Sequence, residues 1–70
     1  MKIIERKSDG VILQVANCAE LPPGVSPEEV NTYNLPGWDW SLINLTGVDR
    51  TSANWVSDSL KWSGTTLVKK

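Results

Sequence analysis

The dipeptide Asp9-Gly10 separates two strand-like runs near the start of the chain, Lys2–Ser8 and Val11–Asn17. An Asp-Gly pair between such runs favours a two-residue hairpin turn, because both turn positions require positive φ. The two runs are therefore predicted to pair as an antiparallel hairpin. This restricts the fold to one that can bury at least one face of that hairpin.

A two-residue turn also predicts the register of the hairpin. Ile4 would lie opposite Val15 and Ile3 opposite Ala16, and side chains would alternate between the two faces. The predicted core face carries four apolar residues: Ile4, Val11, Leu13 and Val15. Ile3 and Ile12 lie on the other face, which indicates that a neighbour covers that face as well.

A turn cluster and a helix start follow the hairpin. The segment Leu21-Pro22-Pro23-Gly24 cannot continue a strand ladder, since proline has no backbone N–H to donate. Ser26 has the position of an N-cap, Pro27 that of the first helical residue, and Glu29 completes a capping box. A helix of one or two turns is predicted here, ending before the turn cluster Asn34–Gly37.

The segment Trp38–Thr46 alternates in the way that is typical of a strand. Trp38 and Trp40 fall on one face, whereas Ile43 and Leu45 fall on the other. A central strand is therefore predicted between the helix and the last part of the chain.

The last part of the chain repeats the hairpin pattern. Ser63-Gly64 separates the runs Ser57–Trp62 and Thr65–Val68, and a two-residue turn would place Leu60 opposite Leu67. The predicted fold class is mainly β: a small antiparallel β domain with two hairpins and one short helix, with residues 1–70 forming a single domain.

Chain length and cysteine content limit how this fold can be stabilised. A chain of 70 residues buries only about 60% of the surface that it exposes when unfolded. Cys18 is the single cysteine and there is no histidine, so an internal disulfide and a zinc site of the usual Cys/His type are both excluded. Docking or self-association is the remaining way to stabilise a small core.

Charge and hydropathy argue against two classes of partner. The chain has 7 basic and 8 acidic residues, so no net field attracts nucleic acid or anionic lipid. No apolar run approaches the length of a membrane span or of an export signal, and the lone Cys18 fits synthesis in a reducing cytoplasm. Neither a nucleic-acid nor a membrane partner is expected.

A catalytic role is not predicted either. Glu28 and Glu29 are adjacent acids, but their place in a predicted first helical turn explains them as partners of the helix dipole. Cys18 has no histidine to deprotonate it. We therefore expect no enzyme activity, no cofactor and no metal.

The aromatic residues are the outlying feature: four tryptophans, one tyrosine and no phenylalanine. The predicted core consists of Trp55, Trp62, Leu60, Leu67, Leu13 and Val15. The predicted contact residues are Tyr33, Trp38, Asp39 and Trp40, with Ile3 and Ile12 as a second patch. Tryptophan and tyrosine dominate protein-binding hot spots, although an indole next to a carboxylate also suits a sugar ring.

Two segments of the chain resemble a known group of proteins. The stretch MKIIERKSDGVIL and the later ANW and LKWSGTTLVKK are similar to short proteins encoded among the virion genes of tailed bacteriophages. The resemblance implies a minor structural virion protein associated with the tail, neck, fibre or capsid, made in the host cytoplasm and then carried in the particle. It implies no catalytic residues.

The partner expected from this resemblance is a larger phage structural protein, or further copies of the chain, bound through aromatic and β-edge contacts. Two other functions remain open at this point. One is a small carbohydrate-binding module that uses exposed tryptophans. The other is a phage-encoded inhibitor of a host protein.

Overall fold

Two antiparallel β-sheets, one short α-helix and two 3-10 turns form the structure, which is a computed structural model that describes residues 1–37 and 39–70. The elements are β1 (Lys2–Arg6), β2 (Ile12–Ala16), a 3-10 turn (Pro27–Glu29), β3 (Val30–Asn34), a 3-10 turn (Trp40–Leu42), α1 (Trp55–Ser59), β4 (Leu60–Trp62) and β5 (Leu67–Lys69). The first sheet has the order β2-β1-β3, and the second pairs β4 with β5. The predicted class, mainly β with two hairpins and one short helix, is confirmed, although the helix lies elsewhere in the chain.

The first hairpin forms, but its predicted register is wrong by one residue at Ile3 and Ile4 and by two residues at Glu5. Ile3 lies opposite Val15 and Ile4 opposite Gln14, and the pairing shifts between Ile4 and Glu5. The N–H of Arg6 donates to the carbonyl of Val11 at 2.9 Å, so four residues, not two, form the loop between them. The one-residue slip places Val15 on the face of Ile3 instead of that of Ile4, whereas Ile3 and Ile12 share a face as predicted.

Both faces of the first sheet carry buried residues. One face contributes Ile3 and Ile12 to the main core cluster, which consists of Ile3, Ile12, Ile43, Leu60 and Leu67. The other face contributes Ile4 to a smaller cluster with Ala19 and Val30. Ile3 and Ile12 are 0% and 1% exposed, so their prediction as a contact patch is wrong: the α1–β4–β5 part of this chain is the neighbour that covers them.

The helix predicted after Ser26 is only a 3-10 turn, Pro27–Glu29, and the Ser26 side chain makes no capping hydrogen bond. The chain then enters β3, which pairs with β1 along its whole length. The residues of this segment, Val, Asn, Thr and Tyr, all have modest helix propensity. Pairing with β1 instead satisfies the backbone N–H and C=O groups of the segment by hydrogen bonds within the sheet.

The central strand predicted over residues 38–46 is also wrong. Trp40–Leu42 forms a 3-10 turn, because the Asp39 side chain accepts a hydrogen bond from the Ser41 N–H at 2.9 Å. Such a local bond competes with an extended ladder. Trp38, at the start of the predicted strand, lies outside the described residues.

The second hairpin is present with a register shifted by two residues. Trp62 lies opposite Leu67 and Leu60 opposite Lys69. The N–H of Ser63 donates to the carbonyl of Thr66 at 2.8 Å, and the N–H of Thr66 donates to the Ser63 hydroxyl at 3.1 Å. The two-residue loop is therefore Gly64-Thr65, one position later than predicted. A shift of two keeps each side chain on its face, so Leu60 and Leu67 are buried as predicted.

The helices in the described part of the chain are too short, and insufficiently apolar, to cross a bilayer.

Candidate binding surface

Four aromatic side chains form two pairs that pack against the main core cluster. Tyr33 pairs with Trp62, and Trp40 pairs with Trp55. All four are half-buried, so each ring contacts the core with one part and solvent with another. We refer to these four residues together with Arg50 as the aromatic surface.

The Tyr33–Trp62 pair joins the two sheets. Tyr33 lies on β3, where it is paired with Ile3 of the central strand, and Trp62 lies on β4. Their ring centroids are 4.4 Å apart and their planes are within 8° of parallel. A stacked pair of this kind adds to the stabilisation that burial alone provides.

The phenol of Tyr33 is held by the first sheet as well. Its hydroxyl donates to Glu5 Oε1 at 2.9 Å, and Asn31 Nδ2 donates to the same oxygen at 3.3 Å. The hydrogen bond to Glu5, followed by burial and the charge of Glu5, raises the pKa of Tyr33 above its usual value. The ring is therefore fixed at both ends, by stacking and by its hydroxyl.

The second pair carries a positive charge beside it. The rings of Trp40 and Trp55 are tilted by 57° with centroids 4.9 Å apart. The guanidinium carbon of Arg50 lies 4.8 Å from the centroid of the Trp55 ring, which is cation–π distance. Arg50 is exposed, so the Trp55 ring has an exposed positive charge beside it.

The predicted contact residues are thus only partly brought together. Tyr33 and Trp40 both pack on the main core cluster, but each belongs to a different aromatic pair. Asp39 is exposed and caps the turn that carries Trp40. Trp38 lies outside the described residues, and Ile3 and Ile12 are core residues instead.

Sequence reasoning missed the surface role of three residues: Arg50, Trp55 and Trp62. Trp55 and Trp62 were predicted as core, whereas both keep an exposed part. Arg50 lies in a polar connection, and its residue type was the available clue, since arginine shares with tryptophan and tyrosine a high frequency in binding hot spots.

Chemically, this surface offers groups for binding. It presents half-exposed rings, which gain free energy when water is removed, and a guanidinium that can pair with a carboxylate or a carbonyl. Within residues 1–37 and 39–70, no group of three or more Cys, Asp or Glu side chains is arranged to hold a metal ion. The arrangement suits recognition of another macromolecular surface.

Comparison of the chain with protein-family models, with curated proteins and with solved structures gives no match.

Proposed function

We propose that this chain is a minor structural protein of a tailed-bacteriophage particle, which binds a larger particle protein or its own copies through the aromatic surface and through open strand edges. The observation that carries the proposal is the aromatic surface: two half-exposed aromatic pairs with Arg50 stacked on one of them. These are the residue types that contribute most to protein–protein affinity.

The small core supports a role in an assembly. In the part of the chain that the structure describes, nine hydrophobic residues are buried, and the single Cys18 is exposed. A domain of this size gains stability from a partner that covers further apolar surface. The half-exposed rings are the surface that such a partner would cover.

The resemblance to phage virion proteins also supports it. The two segments that carry the resemblance form the two hairpins, and these pack together: Ile3 and Ile12 of the first contact the same core cluster as Leu60 and Leu67 of the second. The residues that match are therefore those that define the fold.

The carbohydrate alternative draws less support from the geometry. Binding a sugar on a flat platform requires coplanar, open rings. Trp40 is half-buried against the core and tilted by 57° from its neighbour Trp55. The Tyr33 and Trp62 rings cover each other.

Mass spectrometry of purified particles from the source phage tests the proposal. The particles are washed in high salt so that adsorbed host proteins are removed, and the chain is expected at a constant ratio to a major particle protein. A chain that is abundant in infected cells and absent from washed particles would contradict the virion role.

A binding assay then tests the surface. Purified chain is immobilised and exposed to dissociated particle proteins, with Arg50→Ala and Trp40→Ala expected to weaken capture of one of them at least tenfold. Leu42→Ala is the matched control, because Leu42 is 58% exposed but belongs to neither aromatic pair. Equal loss in all three variants, or in none, would contradict a role for the aromatic surface.

A further inference from the structure

Strand β3 lies at an edge of the first sheet, with β1 on one side of it. The N–H of Leu35 donates to the Met1 carbonyl, and the N–H of Lys7 donates to the Glu29 carbonyl. Because antiparallel strands direct alternate residues toward a given neighbour, the odd-numbered residues of β3 bond to β1. The N–H and C=O groups of the even-numbered residues point away from the sheet.

The outward-pointing residues are Val30, Thr32 and Asn34. The N–H of Val30 donates to the Pro27 carbonyl. For the other outward N–H groups, those of Thr32 and Asn34, residues 1–37 and 39–70 provide no hydrogen-bond acceptor outside the strand ladder. An edge with several open donors and acceptors is a template for another strand.

This edge lacks the features that usually protect one. The sequence of β3 is VNTYN, without proline or any charged residue, and its pairing with β1 runs without a bulge. The opposite edge differs, because α1 packs against β2 and a register shift interrupts the β1–β2 pairing. Of the two edge strands of this sheet, β3 is the one that pairs with β1 without a register shift.

The open groups of β3 match those of a second copy. In an antiparallel arrangement centred on Thr32, the N–H of Thr32 donates to the carbonyl of Thr32 in the second copy, and the reverse bond forms as well. The N–H of Asn34 then meets the carbonyl of Val30 in the second copy. Thr–Thr is also a favourable cross-strand pair.

The charges at the two ends of β3 favour the same arrangement, although Arg6 and Lys7 offset part of the negative charge at the Glu28–Glu29 end. Glu28 and Glu29 precede the strand, whereas Lys2 is paired with Asn34 at its other end. Antiparallel pairing brings the acids of each copy toward Lys2 of the other. Parallel pairing would bring acids toward acids.

We propose that two copies of the chain pair through β3, so that the two three-stranded sheets become one continuous sheet. This inference rests on the proposed function, because that proposal includes the chain's own copies among its partners. It deepens the proposal by naming the strand through which two copies pair. The two-fold axis of such a pair is perpendicular to the sheet, so Tyr33 and its stacked Trp62 lie on the same side of the sheet in both copies. The dimer would present two aromatic surfaces to one target and bind it bivalently.

Sedimentation equilibrium of the full chain over a range of concentrations tests the pairing. Wild type is expected to form a dimer, and so is Thr32→Val, which keeps the N–H and the branched shape. Thr32→Pro removes the outward N–H at the two-fold axis without removing a bond to β1, so it is expected to be monomeric with a native circular dichroism spectrum. Thr32→Lys, which places two ammonium groups at the axis, is expected to be monomeric too and serves if the proline variant does not fold.

A wild-type chain that stays monomeric at the highest concentration would overturn the pairing. A folded Thr32→Lys or Thr32→Pro chain that remains dimeric would overturn it as well, since the interface would then lie elsewhere. Neither result bears on the mass spectrometry of particles. A chain that dimerises through β3 but is absent from washed particles would leave the pairing intact and remove the virion role.

Discussion

The ring of Tyr33 lies parallel to the ring of Trp62, with the centroids 4.4 Å apart and the planes within 8°. One ring belongs to the edge strand of the first sheet and the other to the second sheet. The contact therefore links the two hairpin regions of the chain. It also links the core to the surface, because both rings pack on the main core cluster and keep an exposed part.

Tyr33→Phe is expected to keep this stack and lose the hydrogen bond to Glu5, lowering the midpoint of urea unfolding near neutral pH. The pKa of Tyr33 is raised in the folded chain. Its stabilising contribution is therefore complete below the usual tyrosine pKa and is lost as pH rises through the folded value. The difference between wild type and Tyr33→Phe should shrink in that alkaline range.

Ultraviolet absorbance of tyrosinate measures the pKa of Tyr33 directly, since Tyr33 is the sole tyrosine. The folded chain is expected to titrate at higher pH than the same chain in denaturant. A titration midpoint equal to or below that of the denatured chain would contradict the hydrogen bond to Glu5.

Asp9→Asn is expected to destabilise the first hairpin at neutral pH and to have less effect in acid. Asp9 accepts from Arg6 Nε at 2.9 Å and from Arg6 Nη2 at 2.6 Å. These bonds, with one from the N–H of Val11, lower its pKa. The stabilisation is present above the usual aspartate pKa and is lost as pH falls through the folded value. Thermal unfolding of wild type and Asp9→Asn from neutral to acidic pH checks this dependence. Asp58→Asn, at an exposed aspartate, is the control.

Leu60→Ala is expected to destabilise the chain by about 2 to 5 kcal/mol, because Leu60 is 0% exposed and truncation leaves a cavity in the main core cluster. Leu42→Ala removes the same atoms from a residue that is 58% exposed. Its effect should stay within about 0.5 kcal/mol. Urea unfolding monitored by tryptophan fluorescence compares them, and similar losses for the two variants would contradict the described core.

Gly10→Ala is expected to cost about 1 to 2 kcal/mol, because Gly10 has φ +73° and a side chain disfavours that conformation. Nothing lies within 4 Å of an added Cβ, so the cost comes from the backbone alone. Gly10→Asn should cost less, since asparagine tolerates left-handed φ. Equal unfolding free energies for wild type and Gly10→Ala would show that the turn has another conformation.

Local turn chemistry was enough to predict both hairpins, but not their registers. A two-residue turn is predicted for each hairpin, but the first loop has four residues and the second begins one residue later than predicted. In the second hairpin the error was an even number of residues, so Leu60 and Leu67 kept their faces. In the first it was one residue at Ile3 and Ile4, which moved Val15 to the face of Ile3. Ile3 and Ile12 share a face as predicted, but the count of apolar residues favours the other face as the core.

The secondary structure of the middle of the chain was harder to predict, because local capping patterns compete there with pairing to distant strands. The capping-box pattern at Ser26 yields only a 3-10 turn before the backbone joins β1. The candidate site could also be predicted only in part from local sequence. Residue type identified Tyr33 and Trp40, but their stacking partners, and the place of Arg50 on Trp55, depend on tertiary packing between distant segments.

The first strand along the chain occupies the centre of its sheet, and this affects the order of folding. β1 and β2 are close in sequence and can close a hairpin on the order of microseconds. The other side of β1 stays unpaired until β3 forms. Asn34 of β3 pairs with Lys2 only after the long chain segment between them has closed into a loop. During synthesis at the ribosome, the growing chain therefore exposes an open side of β1 to incorrect strand pairing until residues 30–34 have emerged.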